Sequence, residues 1–323
     1  MKVFSPSLPH SLLPLAAVLL AAASPAFACS DCGCSLSSDW AAQGYDVLPG
    51  FEAGLRFDYA DQTELYAGTD HVDRAALALP NDEEIQQRTL NRNTTLDLGY
   101  ALNSTWAITG SVPFHDRFHT TFAEGDTDVS TSRANGPGDI RLLARYQKFS
   151  INRSYGFQFG LKLPTGSFDQ NFADGPQAGE RLDRGLQLGS GTTDLLLGTS
   201  YFTRLGGVFG GFASATLEQP LAERADFLPS TTLNLSSGVR WQNTSRFTPQ
   251  LQLNLKAESR EHGAEADTAN SGGTFAYLSP GVTGSLGSRS SAYVFVQLPV
   301  YQRVNGLQLE PRWLFSAGWR IQL

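Results

Sequence analysis

Hydrophobic side chains return at every second position along most of this chain, and polar or small residues fill the gaps. From Trp313 to Leu323, the residues Trp313, Phe315, Ala317, Trp319, Ile321 and Leu323 share one face, while Ser316, Gly318, Arg320 and Gln322 share the other. A period of two with one apolar face predicts a strand, because successive side chains point to opposite sides. The same reading gives a strand at Phe51, Ala53, Leu55, Phe57 and Tyr59, opposed by Glu52, Gly54, Arg56 and Asp58. Others are predicted around Leu96–Tyr100, Trp106–Phe114, Ile140–Tyr146, Tyr155–Leu163, Leu195–Tyr201, Leu233–Trp241, Phe247–Leu255 and Val294–Val300. Two stretches, Val208–Leu217 and Phe275–Leu286, are broken by Gly or Pro, and the pattern leaves their phase open.

That makes twelve strands with a regular alternation of connections. Those near residues 102, 150, 205, 244 and 288 are short; those after the first, third, fifth, seventh and ninth strands are long, acidic and rich in Pro, Gly and Asn. A soluble sandwich has no reason to sort its loops by parity. A transmembrane antiparallel β-barrel does, with short periplasmic turns, long extracellular loops, an apolar outer face and a polar lumen. The final strand resembles the closing strand of bacterial outer-membrane barrels, with Leu323 where Phe or Trp usually stands.

The N-terminus agrees with export. Lys2, the apolar run Leu12–Ala23 and the small-x-small triplet Ala26-Phe27-Ala28 predict a signal peptide over residues 1–28. The run is too short for a membrane-spanning helix, which takes about 20 residues. The predicted organisation is therefore a signal at 1–28, a Cys-containing periplasmic leader at 29–49 and an outer-membrane barrel at 50–323, in a Gram-negative cell. Its partners are outer-membrane lipid and small solutes; no oligomeric state follows from the pattern. A formal net charge of −7 without basic runs excludes nucleic-acid binding as the expected function.

With the lipid face assigned, the charged inward positions follow. They are Glu52, Arg56, Asp58, Asp97, Asp139, Arg141, Arg145, Lys162, Asp194, Arg240, Lys256, Glu310, Arg312 and Arg320, eight basic and six acidic. A charge facing lipid at mid-depth costs about 2–4 kcal/mol, which accounts for their confinement to one phase. They either pair across and plug the lumen or line a solute path. Arg56, Asp97, Arg141, Arg145, Lys162, Arg240, Lys256, Arg312 and Arg320 are the candidate pore-lining set. Tyr293, Phe295 and Tyr301 also fall inward, beside Arg312 and Arg320, as a patch suited to an aromatic carboxylate.

Three runs carry a family resemblance: Gly136-Pro137-Gly138-Asp139-Ile140-Arg141-Leu142, Gly160-Leu161-Lys162-Leu163-Pro164-Thr165-Gly166, and Gly189-Ser190-Gly191-Thr192-Thr193-Asp194 with Leu195-Leu196-Leu197-Gly198. Together they resemble the outer-membrane family named for the MetA pathway of phenol degradation, over roughly residues 90–323. That resemblance implies a transporter-like barrel passing small, including aromatic, solutes.

All three cysteines lie in Cys29-Ser30-Asp31-Cys32-Gly33-Cys34. Three thiols at this spacing suit a soft metal ion, Cu or Zn, held by Cys29, Cys32 and Cys34. One disulfide with an odd thiol, or a lipid on Cys29, are the other two readings. No other cofactor is expected. Catalysis is not expected either: no His-x-Ser pair occurs, and His115 and His119 flank Asp116 in what reads as a solvent-exposed rim cluster. The expected function is an outer-membrane channel for small aromatic or anionic solutes. A metal-handling barrel built on the Cys cluster, or a structural barrel with a plugged lumen, are the alternatives.

Overall fold

The computed structural model describes Leu36, Gln43, Tyr45 and residues 49–150, 153–242 and 246–323. The predicted signal peptide and Cys29, Cys32 and Cys34 lie outside the described residues. The twelve expected strands are present: β1 Gly50–Ala67, β2 Ile85–Ala101, β3 Trp106–Phe122, β4 Ile140–Ser150, β5 Arg153–Leu163, β6 Asp194–Gly206, β7 Phe209–Pro220, β8 Thr232–Trp241, β9 Phe247–Glu258, β10 Gly273–Ser285, β11 Ser290–Val304 and β12 Leu307–Gln322. Each pairs antiparallel with its chain neighbours, and β1 pairs with β12, for example Glu52 opposite Gln322 and Tyr59 opposite Phe315. The result is a closed barrel. Two short strands lie off this circuit: Asp70–His71 folds back on β1, and Ser130–Pro137 pairs with the outer half of β3.

The wall is inside-out relative to a soluble protein. Leu98, Ile108 and Phe157 are more than half exposed on the outer face, whereas Asn91, Gln252, Asn254, Gln297 and Ser316 are fully buried inside. Lipid replaces water around the apolar side chains, and the interior polar groups bind one another. Asn91 donates to Gln62, Asn254 to Ser279, and Ser316 to Asp58, at 3.2, 2.7 and 2.7 Å.

The structure also sets the two phases left open by the pattern. Phe202 and Phe212 are buried inside the barrel, on β6 and β7. Each ring lies over an inward glycine of the next strand, so that a Cβ on Gly210 would stand 2.8 Å from Phe202 and one on Gly238 would stand 2.6 Å from Phe212. In the same way Phe295 covers Gly281 and Tyr293 covers Gly318. The glycines that obscured the alternation are the floor on which inward aromatics lie.

Bulges overturn two sequence expectations. Between β10 and β11 the register steps from Ala276 opposite Tyr301 to Tyr277 opposite Pro299. The extra residue turns Tyr301 outward, 46% exposed, not into the lumen. Between β1 and β12 the register shifts on both sides of Gln62, which faces Pro311. Proline has no N–H for the ladder, and a bulge is where it is tolerated. Arg312, next to it, has a side chain 74% exposed and pairs with Glu64 at 2.6 Å. It lies outside the pore lining and roughly 26 Å along the strand from Arg320.

The lipid-facing register makes a depth-dependent prediction. Leu253→Arg, on the outer face of β9, should destabilise the barrel by about 2–4 kcal/mol, and Leu286→Arg at the inner turn by less than about 1 kcal/mol. Equilibrium unfolding from lipid vesicles, followed by tryptophan fluorescence, reads both.

Candidate solute pathway

Among the described residues, two cavities lie within the lumen, one above the other. The outer one, about 420 Å³, is bounded by inward residues of the wall and by the loop 164–193. The inner one, about 210 Å³, is lined by Glu52, Arg56, Asp97, Arg145, Gln158, Tyr293 and Arg320, among others. Arg56, Asp97, Ser111 and Leu143 line both, so the two spaces meet at a ring contributed by β1, β2, β3 and β4.

The roof of the outer cavity is the loop 164–193, and the three glycine-rich runs hold it there. Asp139 accepts from the backbone of Gly166 at 2.9 Å and from the backbone and hydroxyl of Ser190 at 2.8 and 2.9 Å. The Thr165 hydroxyl donates to the Gly138 carbonyl at 3.0 Å and accepts from the Ile140 backbone at 2.9 Å. Gly166 and Gly189 are in backbone contact, with no room for a Cβ on either. Residues read separately along the chain are therefore one clamp on the two feet of a loop. Arg117, reaching up from β3, donates to the Gly185 and Gln187 carbonyls at 2.7 and 3.3 Å. The loop buries Phe172, Leu182, Leu186 and Leu188 against Ala134 of the short strand Ser130–Pro137.

Charges within the cavities are mostly matched. Arg56 pairs with Asp58 at 2.8 Å and Arg141 with Glu218 at 2.9 Å. Lys162 bridges Asp194 and Glu218, and Thr192 donates to the far oxygen of Asp194. Glu218 escaped the sequence reading because it lies on β7, whose phase the glycines hid.

Of the candidate residues, Arg56, Asp97, Arg141 and Lys162 line the outer cavity, and Arg56, Asp97, Arg145, Tyr293 and Arg320 line the inner one. Arg240, Lys256 and Phe295 face inward but fill space without lining either cavity. Arg240 stacks on Tyr45 and Phe202 at 4.5 and 4.4 Å, and Lys256 pairs with Glu258 at 2.6 Å. The expected patch is split: Tyr293, Phe295 and Arg320 stay inside, whereas Tyr301 and Arg312 leave it. Part of the filling comes from the leader. Leu36 packs on Tyr293 and Phe295, and Tyr45 accepts from Gln250 at 3.2 Å.

The rim cluster also resolves differently. β3 runs on to Phe122, so its inward phase continues through His115, Arg117 and His119. His119 is fully buried, not solvent-exposed, and its Nδ1 meets the Thr89 hydroxyl at 2.8 Å. Asp116 turns to the other side and binds Arg92 and Arg133. Among the described residues no group of three His, Cys, Asp or Glu side chains is placed to hold a metal ion.

No family model and no curated protein matches the chain. Solved structures do. An outer-membrane channel from Pseudomonas putida F1 superposes with a TM-score of 0.63 at 13% identity, covering 87% of this chain and 98% of that one. A Pseudomonas aeruginosa FadL homologue gives 0.45 at 10% identity, covering 89% and 93%, and the Ralstonia pickettii toluene transporter TbuX gives 0.45 at 7%, covering 86% and 90%. The first of these shows that the fold is that of outer-membrane barrels.

Two variants test the site. Lys162→Met leaves Asp194 buried without its cation and Glu218 with Arg141 alone, and should cost about 3–5 kcal/mol in barrel stability. Adding Asp194→Asn, which keeps the Glu218–Arg141 pair, should restore most of it, read by the same unfolding assay. Asp139→Ala removes the acceptor of three hydrogen bonds at the loop's feet. It should make residues 164–193 sensitive to protease while the barrel still resists heat in detergent.

Proposed function

We propose that this protein is a diffusive channel of the Gram-negative outer membrane for small, chiefly anionic and aromatic, solutes. The observation that carries the reading is the pair of cavities that share Arg56, Asp97, Ser111 and Leu143 on four neighbouring strands and so follow one another along the barrel axis. A purely structural barrel has no use for such a path. The likeness in fold to a barrel described as an outer-membrane channel agrees with it.

The inner cavity suggests the solute class. Arg145 and Arg320 line it with Glu52 and Asp97, and the Tyr293 ring lies alongside; the third guanidinium there, Arg56, is paired with Asp58. Guanidinium groups bind carboxylates in a fixed fork and an aromatic ring stacks on a flat solute. A space of about 210 Å³ suits a one-ring molecule, since an apolar cavity of about 150 Å³ already holds benzene. The three glycine-rich runs, which resemble those of the phenol-degradation family, favour the same class.

Planar-bilayer recording of the purified protein should show discrete conductance steps; a silent bilayer would reject the channel. In liposome swelling, benzoate should enter wild-type vesicles faster than an uncharged sugar of similar size. Arg145→Ala with Arg320→Ala should slow benzoate several-fold and leave the sugar unchanged, and equal slowing of both would remove the solute assignment.

A further inference from the structure

The extracellular loops meet over the pore through a set of carboxylates, of which only Glu261 also borders the outer cavity. Glu84 closes the loop 68–84, Asp183 lies in 164–193, and Glu261 and Asp267 lie in 259–272. Glu84, Glu261 and Asp267 are all at least 94% buried. Asp267 satisfies one oxygen with the backbone and side chain of Asn270, at 2.9 and 3.4 Å; its other oxygen and one oxygen of Asp183 are buried without a hydrogen-bond partner. Beneath them His119, fully buried, points Nε2 at Glu84 from 3.6 Å, and that nitrogen also has no hydrogen-bond partner. Buried carboxylates are tolerated when paired with cations or when neutral. The neighbouring guanidinium group, Arg184, is turned toward the Phe168 and Phe227 rings at 4.3 and 4.7 Å and donates to the Ser190 carbonyl. The charged groups that act on it are Glu261 and Glu265, together with Arg181 and Arg224. The groups acting on Asp183 are Glu84, Asp267 and Glu261, all of its own sign.

We propose that Asp183 and Asp267, packed among Glu84, Glu261 and His119, form a proton-operated latch that holds three extracellular loops over the pore and releases them as these two carboxyls ionise. The latch rests on the channel reading, since its purpose is to control access to the path. Burial, with three like charges around it, holds Asp183 well above the ordinary carboxylate range, and burial pushes Asp267 up to about 7. The sign follows from proton linkage. A carboxyl whose affinity for protons is higher in the packed state stabilises that state fully below its ordinary value of 3.8 and loses the effect as pH rises toward about 7. Over that window the odds of release rise by up to about tenfold per carboxyl for each pH unit. Release does not require the barrel to unfold. The loop 164–193 supplies the roof of the outer cavity, and its movement alone widens the mouth.

The test reads the loops separately from conduction, with chelator present throughout. Proteinase K cleavage within 164–193, mapped by mass spectrometry and normalised to an unstructured peptide, should be at least tenfold faster at pH 8 than at pH 5.5. Asp183→Asn with Asp267→Asn keeps both side chains uncharged, so cleavage should stay slow at both values; Glu84→Gln should shift the response in the same direction. Conductance should rise in parallel in the wild type and stay low in the double variant. Equal cleavage at both pH values, or an unaltered pH response in the double variant, overturns the latch. A pH-dependent cleavage pattern without conductance at either pH keeps the latch and rejects the channel.

Discussion

Hydrocarbon offers no hydrogen bonds, so every backbone N–H and C=O in the wall must find its partner within the protein. The ladder between β1 and β12 meets that demand by leaving the sheet without an edge. Everything else follows from the closure. Once the circuit is complete, the outer face has to be apolar and the enclosed face is free to be polar. The enclosed side chains must in turn satisfy one another, as Asn91 and Gln62 or Ser316 and Asp58 do. The interior is thus a bonded lattice with gaps in it, and the gaps are the two cavities.

The gaps are shaped by a loop held in place. Asp139, Thr165 and Ser190 come from three separate parts of the chain and fasten both ends of 164–193 to the wall where β4 and β5 meet. The same neighbourhood presents Lys162 between Asp194 and Glu218. A clamp made largely of backbone and short polar groups leaves little slack, which is why glycine recurs there: Gly166 and Gly189 touch through their backbones. Above the clamp the loop's contacts are of another kind, with apolar packing on Ala134 and like-charged carboxylates from other loops. The loop is firmly footed and loosely topped.

Strand number, barrel class and the sidedness of most residues were legible because lipid imposes a strict alternation that few other environments require. Leu233, Leu235 and Val239, or Phe157 and Phe159, announce their face without help. What stayed hidden was set by backbone irregularity or by long-range packing. The bulges beside Tyr301 and Pro311 each alter the phase by one residue; Pro299 and Pro311 stand at them, but a proline does not tell which residue the turn in phase will expel. The phase of β7 was lost because glycines fall on both of its faces, Gly210 inward beneath Phe202 and Gly211 outward, and its one inward ring, Phe212, covers a glycine of β8. His115 and His119 read as rim residues because β3 was expected to stop near Phe114. The inward fold of 164–193 did leave a trace: Leu182, Leu186 and Leu188 are too apolar for a loop in water, and they lie beside the 3₁₀ turn Arg184–Leu186.

The inner half of the lumen is divided between two arcs. Along β6 to β10 it is packed with Phe202, Phe212, Arg240 and the leader's Tyr45, whereas along β11, β12 and β1 to β5 mostly polar and charged side chains border open space. The first arc keeps the cylinder round; the second leaves the lumen its space. Substitutions along the second arc therefore carry little mechanical penalty, and the lining of that space can be rewritten while the other arc stays intact.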